Sequence, residues 1–149
     1  MSPPRIDDIV IIGPGRVGQT LAALWLDAGL PVRVLAGRNP ENVSHALRFL
    51  RGAVGRGGSV QMPLGVTELA AAVGSGRIVV LCVPDDALAS LVGRLAQLPL
   101  ELNEHIFVHT SGFHPVSLLA PLQERGAEVA SMHPLAAIPN PADGMERVP

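Results

Sequence analysis

A glycine run, an arginine, a serine and a histidine are the residues of this chain whose type and spacing could do chemistry. Gly13-Pro14-Gly15-Arg16-Val17-Gly18 follows the apolar run Ile9–Ile12 and opens a helical period. In that setting the GxGxxG pattern is a cradle for a pyrophosphate. Gly13 allows the tight turn, Gly15 lets the pyrophosphate approach the backbone, and Gly18 lets helix and strand pack closely. Arg16 and Val17 begin the helix, whose free N–H groups and positive dipole end face the phosphates. The bland alternative is a strand-to-helix turn that holds nothing.

The next informative position lies about 20 residues on, where dinucleotide sites for NAD carry an Asp or Glu on the ribose hydroxyls. Here the chain reads Leu35-Ala36-Gly37-Arg38-Asn39, with no acid. Arg38 can form a charge-assisted fork to a 2′-phosphate and lie over the adenine face. That selects NADP (NADPH) over NAD, and the missing carboxylate argues against S-adenosylmethionine. Otherwise Arg38 is a solvated loop cation. Asn39 has a second role as the cap of the following helix, with Pro40 and Glu41 in its first turn.

Ser111 and His133 are the candidates for proton chemistry. A His near its reference pKa of about 6.5 can exchange a proton during hydride transfer, and a nearby hydroxyl can orient a substrate. The competing reading is that His109 and His133 bond backbone groups and close the strand ends. His114 reads as a cap-region residue, and His45 and His105 as surface residues. Val83 and Pro84 would line the nicotinamide side, with Asp85 capping a helix. Cys82 reads as a small core residue. No acid or thiolate lies at ligand spacing from the histidines, so no metal site is expected.

These positions need a scaffold. Ile9–Ile12, Val32–Leu35, Ile78–Val83, Ile106–Val108 and Glu128–Met132 are short apolar runs suited to parallel strands covered on both faces, and Ser59–Met62 is a sixth candidate. Helical periods lie between them. One holds Val17, Leu21, Leu24, Trp25 and Ala28 and stops at Gly29. Others begin at Asn39, Thr67 and Asp85, and the last covers Pro115–Gln123, where Pro121 should break or kink it. The alternation predicts an α/β, doubly wound, mostly parallel sheet in three αβα layers. Ligands of such sheets bind outside the carboxyl ends of the strands, the edge shared by all these loops. The domain spans 1–136, and 137–149 reads as a tail or linker. Arg51–Gly58 is read as a helix-to-strand loop rather than an RNA-binding segment.

Composition removes other chemistry. The chain has 149 residues, 48% of them hydrophobic, and a mean hydropathy of +0.35, so it is not a disordered polymer. Its net charge of −2 offers no basic field for nucleic acid or anionic membrane. The apolar run Ile78–Val83 falls far short of the ~18 residues of a membrane span, and two acids stand near the start where a signal peptide would be basic. A soluble, cytoplasmic protein is expected. All 11 basic residues are Arg and Tyr is absent, so no lysine Schiff base, Walker lysine or Tyr-Lys relay exists in this chain. A single cysteine excludes an internal disulfide.

Taken in order, Gly13–Gly18, Gly37-Arg38-Asn39, Val83-Pro84-Asp85-Asp86, His109-Thr110-Ser111-Gly112 and Ser131-Met132-His133-Pro134-Leu135 resemble a Rossmann-like family whose members carry an all-helical C-terminal domain of unknown function. That family is similar to deazaflavin-dependent NADP reductases, pyrroline-carboxylate reductases and prephenate dehydrogenases. The resemblance covers residues 5–141 and implies an NADP-dependent oxidoreductase acting on a small, unidentified substrate. It also implies that Ser111 and His133, 22 residues apart, serve the reacting hydroxyl. Relatives complete the site with the helical domain, often through dimerisation. This chain is therefore expected to be the N-terminal domain, incomplete for catalysis alone, with a homo-oligomer or a missing helical domain as partner. The alternative is a non-catalytic NADP-binding sensor or docking module; a third reading is a structural domain that binds no nucleotide.

Overall fold

Every strong apolar run becomes a strand in the computed structural model, which describes residues 7–54, 60–133 and 141. β1 (Ile9–Ile12) is buried along its whole length, as a central strand with helices on both faces must be. It is followed by α1 (Arg16–Asp27), β2 (Val32–Ala36), α2 (Pro40–Ala53), β3 (Leu64–Val66) and α3 (Leu69–Val73). Then come β4 (Ile78–Leu81), α4 (Asp85–Ala96), β5 (Ile106–His109), a 3-10 turn (Val116–Leu119), α5 (Ala120–Gln123) and β6 (Glu128–Ser131). All pairings are parallel and the sheet order is β3-β2-β1-β4-β5-β6. The chain changes direction across the sheet between β1 and β4, and the crevice of such a sheet opens there.

Alternating side chains of each strand feed two cores. Ile9, Ile11, Leu35 and Val80 pack under α1 and α2, against Leu21, Leu26, Ala46 and Leu50. Val10, Ile12, Val79, Leu81 and Phe107 pack under α3, α4 and α5. Each such side chain, removed from water, contributes roughly 1.5–3 kcal/mol. Backbone bonding continues one step past the strands at the carboxyl edge. Gly13 N donates to Ala36 O (2.8 Å), Cys82 N to Ile12 O (2.7 Å), Thr110 N to Leu81 O (3.2 Å) and Met132 N to His109 O (2.9 Å). These bonds fix where each loop leaves the sheet.

Several local expectations are corrected. The third strand is Leu64–Val66, not Ser59–Met62; Ser59 lies outside the described residues and Val60–Met62 form no strand. Gly65 hides this strand from a sequence reading, yet it is required. A Cβ there would come within 2.8 Å of Val43 Cγ1 and 3.0 Å of Leu47 Cδ1, so α2 packs directly on its backbone. α3 is capped by Glu68, whose carboxylate accepts from the N–H groups of Ala70 and Ala71, not by Thr67. Asp85 is the first residue of α4 rather than its cap, which is Pro84; its charge still favours the helix N-terminus. β4 ends at Leu81, two residues before Val83, and Met132 lies just beyond β6. Arg51, Gly52 and Ala53 belong to α2, and residues 55–58 of the expected loop lie outside the described residues. Pro121 does interrupt the last period, which splits into the 3-10 turn and α5. Of the expected tail, only Pro141 is described; its carbonyl accepts from the buried Thr20 hydroxyl at 3.3 Å.

Asn39 caps α2 as expected, its Oδ1 accepting from Glu41 N at 2.8 Å and Asn42 N at 3.4 Å. Asn39→Ala should cost about 1 kcal/mol, the usual value of an N-cap, measured as a lower denaturation midpoint at unchanged slope.

Candidate functional site

The glycine loop divides its labour as the sequence suggests. Gly13 adopts φ +115°, and its backbone packs so closely on the Cys82 carbonyl that a Cβ would overlap it. A Cβ on Gly18 would overlap the Gly13 carbonyl and come within 3.3 Å of Ile11 Cγ2. Gly15 is different. It has an ordinary φ of −83°, and among the described residues nothing beyond its chain neighbours lies within 4 Å of where a Cβ would stand. A side chain is absent there although neither backbone nor packing forbids one. Gly37 also carries a packing demand, since a Cβ would meet the Pro14 ring at 2.7 Å.

Gln19 supports this loop and was missed from sequence. It is 7% exposed, and its Nε2 donates to the Pro14 carbonyl at 2.8 Å. The available signal was a glutamine directly after the fingerprint on a helix whose buried side is otherwise apolar apart from Thr20.

A cleft of about 500 Å³ opens at the carboxyl edge. Gly13, Gly15, Arg38, Asn39, Val83 and Pro84 border it, as the sequence reading requires. Arg16 and Val17 start α1, and Gly18 is buried behind the loop; none of the three borders the cleft. Ile12, Ala36, Leu69 and Leu91 make apolar wall, and Thr67, Ser90 and Arg94 are polar residues the sequence reading did not place there. Glu68 borders the cleft too, but its carboxylate is committed to the α3 cap. Arg38 is exposed and has no hydrogen bond or ion pair among the described residues. Cys82 is buried in the cleft wall. Burial pushes its thiol up to about 12 against an opposing hydrogen bond from Thr110, so it stays protonated at neutral pH.

The loops after β5 and β6 lie side by side because His109 pairs with Ser131 in register. His109 is fully buried and structural: its Nδ1 accepts from Ser111 N–H at 3.2 Å, so Nε2 carries the proton and donates to Pro115 O at 3.1 Å. Ser111 Oγ accepts from the N–H groups of Phe113 and His114, both at 3.1 Å, which turns the chain toward the 3-10 segment. His114 Nε2 donates to Asp85 O at 2.8 Å and ties this loop to α4. His133 is exposed, and its ring lies 2.5–2.7 Å from where a Gly112 Cβ would be, so it rests on the backbone next to Ser111. Ser111 and His133 are thus neighbours through Gly112, but neither borders the cleft. Pro134 and Leu135 lie outside the described residues.

His45 is on the surface, whereas His105 is half-buried, contrary to expectation. Its Nε2 donates to Val73 O at 2.9 Å and its ring stacks on Phe107. Phe113, Val116 and Met132 are exposed at 79%, 40% and 36%, an apolar surface around the His133 loop. Among the described residues there is no cluster able to hold a metal, and no helix is long and apolar enough to cross a membrane.

No curated protein matches the sequence. Solved structures do. An imine reductase from Bacillus cereus superposes with a TM-score of 0.66 at 17% identity, over 91% of this chain and 42% of its own. Prephenate dehydrogenase from A. aeolicus, solved with hydroxyphenyl propionate and NAD+, gives 0.60 at 18% identity over 90% and 43%. An NAD+-dependent dismutase, 5-formyl-3-hydroxy-2-methylpyridine 4-carboxylic acid 5-dehydrogenase, gives 0.68 at 21% identity over 87% and 44%. The chain spans less than half the length of each, and at such identities the likeness is one of fold. A family model described as the Rossmann-like domain matches residues 1–134, from before the glycine loop to just past the His133 loop. Sheet order, fingerprint glycines and this match agree, and the chain belongs to the Rossmann-like domain family.

Proposed function

We propose that this chain is the cofactor-binding domain of an NADP-dependent oxidoreductase that moves a hydride to or from a small substrate. The observation that carries the proposal is Gly15, side-chain-free beside open space at the mouth of a cleft whose β2 end holds Arg38 and no acid. The residues present fit the group. The α1 N-terminus offers N–H groups to the pyrophosphate, and the uncommitted Arg38 guanidinium forks a 2′-phosphate. When bound, the nicotinamide supplies the carbon that gives or takes the hydride. Val83 and Pro84 hold its side of the cleft. His133, exposed and without a hydrogen bond among the described residues, can exchange a proton at its imidazole. Ser111 spends its lone pairs on backbone N–H groups, which leaves its one O–H proton to orient a substrate oxygen. The apolar surface at Phe113, Val116 and Met132 is where a helical domain or a second subunit would close the pocket.

A second reading, a non-catalytic NADP-binding module, is favoured by the position of Ser111 and His133 off the cleft. Hydride turnover by a longer chain, lost in His133→Ala, separates the two.

The cofactor assignment is tested by fluorescence titration with NADPH and NADH. NADPH should bind more tightly, and Arg38→Ala should weaken it by about 1.5–3 kcal/mol, the scale of a charged hydrogen bond, while NADH barely changes. Equal affinities before and after the substitution would sink the assignment.

A further inference from the structure

We infer that Arg94 is a second recognition residue of the cleft, lying against the base of a bound nucleotide rather than against a phosphate. The inference rests on the reading that the cleft takes a dinucleotide. α4 turns Ala87, Ser90, Leu91 and Arg94 toward the cleft, a spacing of three and four residues that keeps them on one helix face. Arg94 is nine residues past Asp85, about 13 Å along the helix axis from its start. It borders, from the α4 side, the same cleft that Arg38 and Asn39 border at the end of β2.

The apolar part of the cleft wall is made by Ile12, Ala36, Leu69 and Leu91. A dianionic phosphate in such a slot gives up hydration against apolar side chains. A flat heterocycle gains burial from the same walls. Other arginines are already committed: Arg33 pairs with Asp8, Arg77 with Asp7, and Arg125 donates to the carbonyls of Ala96, Leu98 and Leu100. The Arg94 side chain, like that of Arg38, has no hydrogen bond or ion pair among the described residues. Its planar guanidinium is free to stack on a heteroaromatic ring. The two arginines then divide the adenosine end, Arg38 setting the preference for the 2′-phosphate and Arg94 holding the base whether or not that phosphate is present.

The division is measured by titrating wild type, Arg38→Ala, Arg94→Ala and Arg94→Lys with NADPH and with NADH, each variant first shown to melt like wild type. Arg94→Ala should weaken both nucleotides by one common factor of about two- to fivefold, the scale of an exposed cation–π contact, and leave their ratio unchanged. Arg38→Ala should change the ratio instead. Arg94→Lys keeps the charge and loses the plane, so it should recover only part of the loss. Weakening of NADPH alone makes Arg94 a phosphate ligand and overturns the inference. Full recovery by lysine, or no effect of Arg94→Ala on either nucleotide, overturns it as well. Failure of wild type to bind either nucleotide removes the dinucleotide reading, and the inference with it; binding by wild type with no effect at Arg94 removes the inference alone.

Discussion

Gly15→Val should abolish NADPH binding and leave the protein folded. The backbone at Gly15 has a φ that valine adopts freely, and among the described residues nothing beyond its chain neighbours lies within 4 Å of the new Cβ. Its cost to stability is confined to a poorer helix cap, within about 1 kcal/mol. The added side chain instead occupies the space through which a pyrophosphate must approach the α1 N-terminus. Losing two charged hydrogen bonds there weakens binding by about 100-fold or more. NADPH titration beside a thermal melt is the measurement. A variant that unfolds would show that the loop is held by Gly15 for structural reasons, and the case for a ligand would weaken.

Gly18→Val, three positions along the same fingerprint, should do the reverse. Its Cβ has nowhere to go, because the obstacles are the Gly13 carbonyl and the Ile11 side chain of the central strand. Neither can yield without moving β1 or tilting α1 off the sheet. Overpacking against backbone should cost about 3 kcal/mol, at the upper end of such substitutions. In a domain of this size that lowers the melting temperature by roughly 6–12 °C. Binding measured well below that temperature should survive to the extent that the loop does. A Gly18→Val protein as stable as wild type would mean that α1 sits further from the sheet than described.

The parts of the fold that were legible in the sequence are those where local chemistry and burial agree. β1, β2, β4 and β5 are short runs rich in β-branched residues between helices, and Asn39-Pro40-Glu41 announces α2 with cap, proline and acid together. β3 was not legible. It is an edge strand of three residues around Gly65, and Leu64, 70% exposed, gives no burial pattern to read. Glu68 and Asp85 show the same limit at helix starts, where neighbouring polar residues compete for the cap and a shift of one residue decides. At the site, Gly13, Gly15, Arg38, Val83 and Pro84 could be placed because each adjoins a strand end, and the strand ends share one edge. Ser90 and Arg94 could not. They border the cleft only because α4 packs with that face toward the sheet's opening, which no local pattern encodes. The histidines fared unevenly for a related reason. Whether a histidine after a strand reaches a ligand or a carbonyl depends on the path of the next loop, and His109 found Pro115 and Ser111.

The placement of β1 at the middle of the sheet also bears on how the protein is made. Gly13 is closed on one side by the Ala36 carbonyl and on the other by the Cys82 carbonyl. The first partner follows soon in synthesis; the second is 69 residues away. At about 5–20 residues per second, a ribosome needs about 3–14 s to supply it. During that interval α1 and α2 can cover one face of β1, while Val10 and Ile12 on the other face wait for α3 and α4. The glycine turn thus leaves the ribosome well before β4, yet its geometry is completed only when β4 docks. A nascent chain halted before Cys82 should carry the whole fingerprint and still lack the nucleotide cradle.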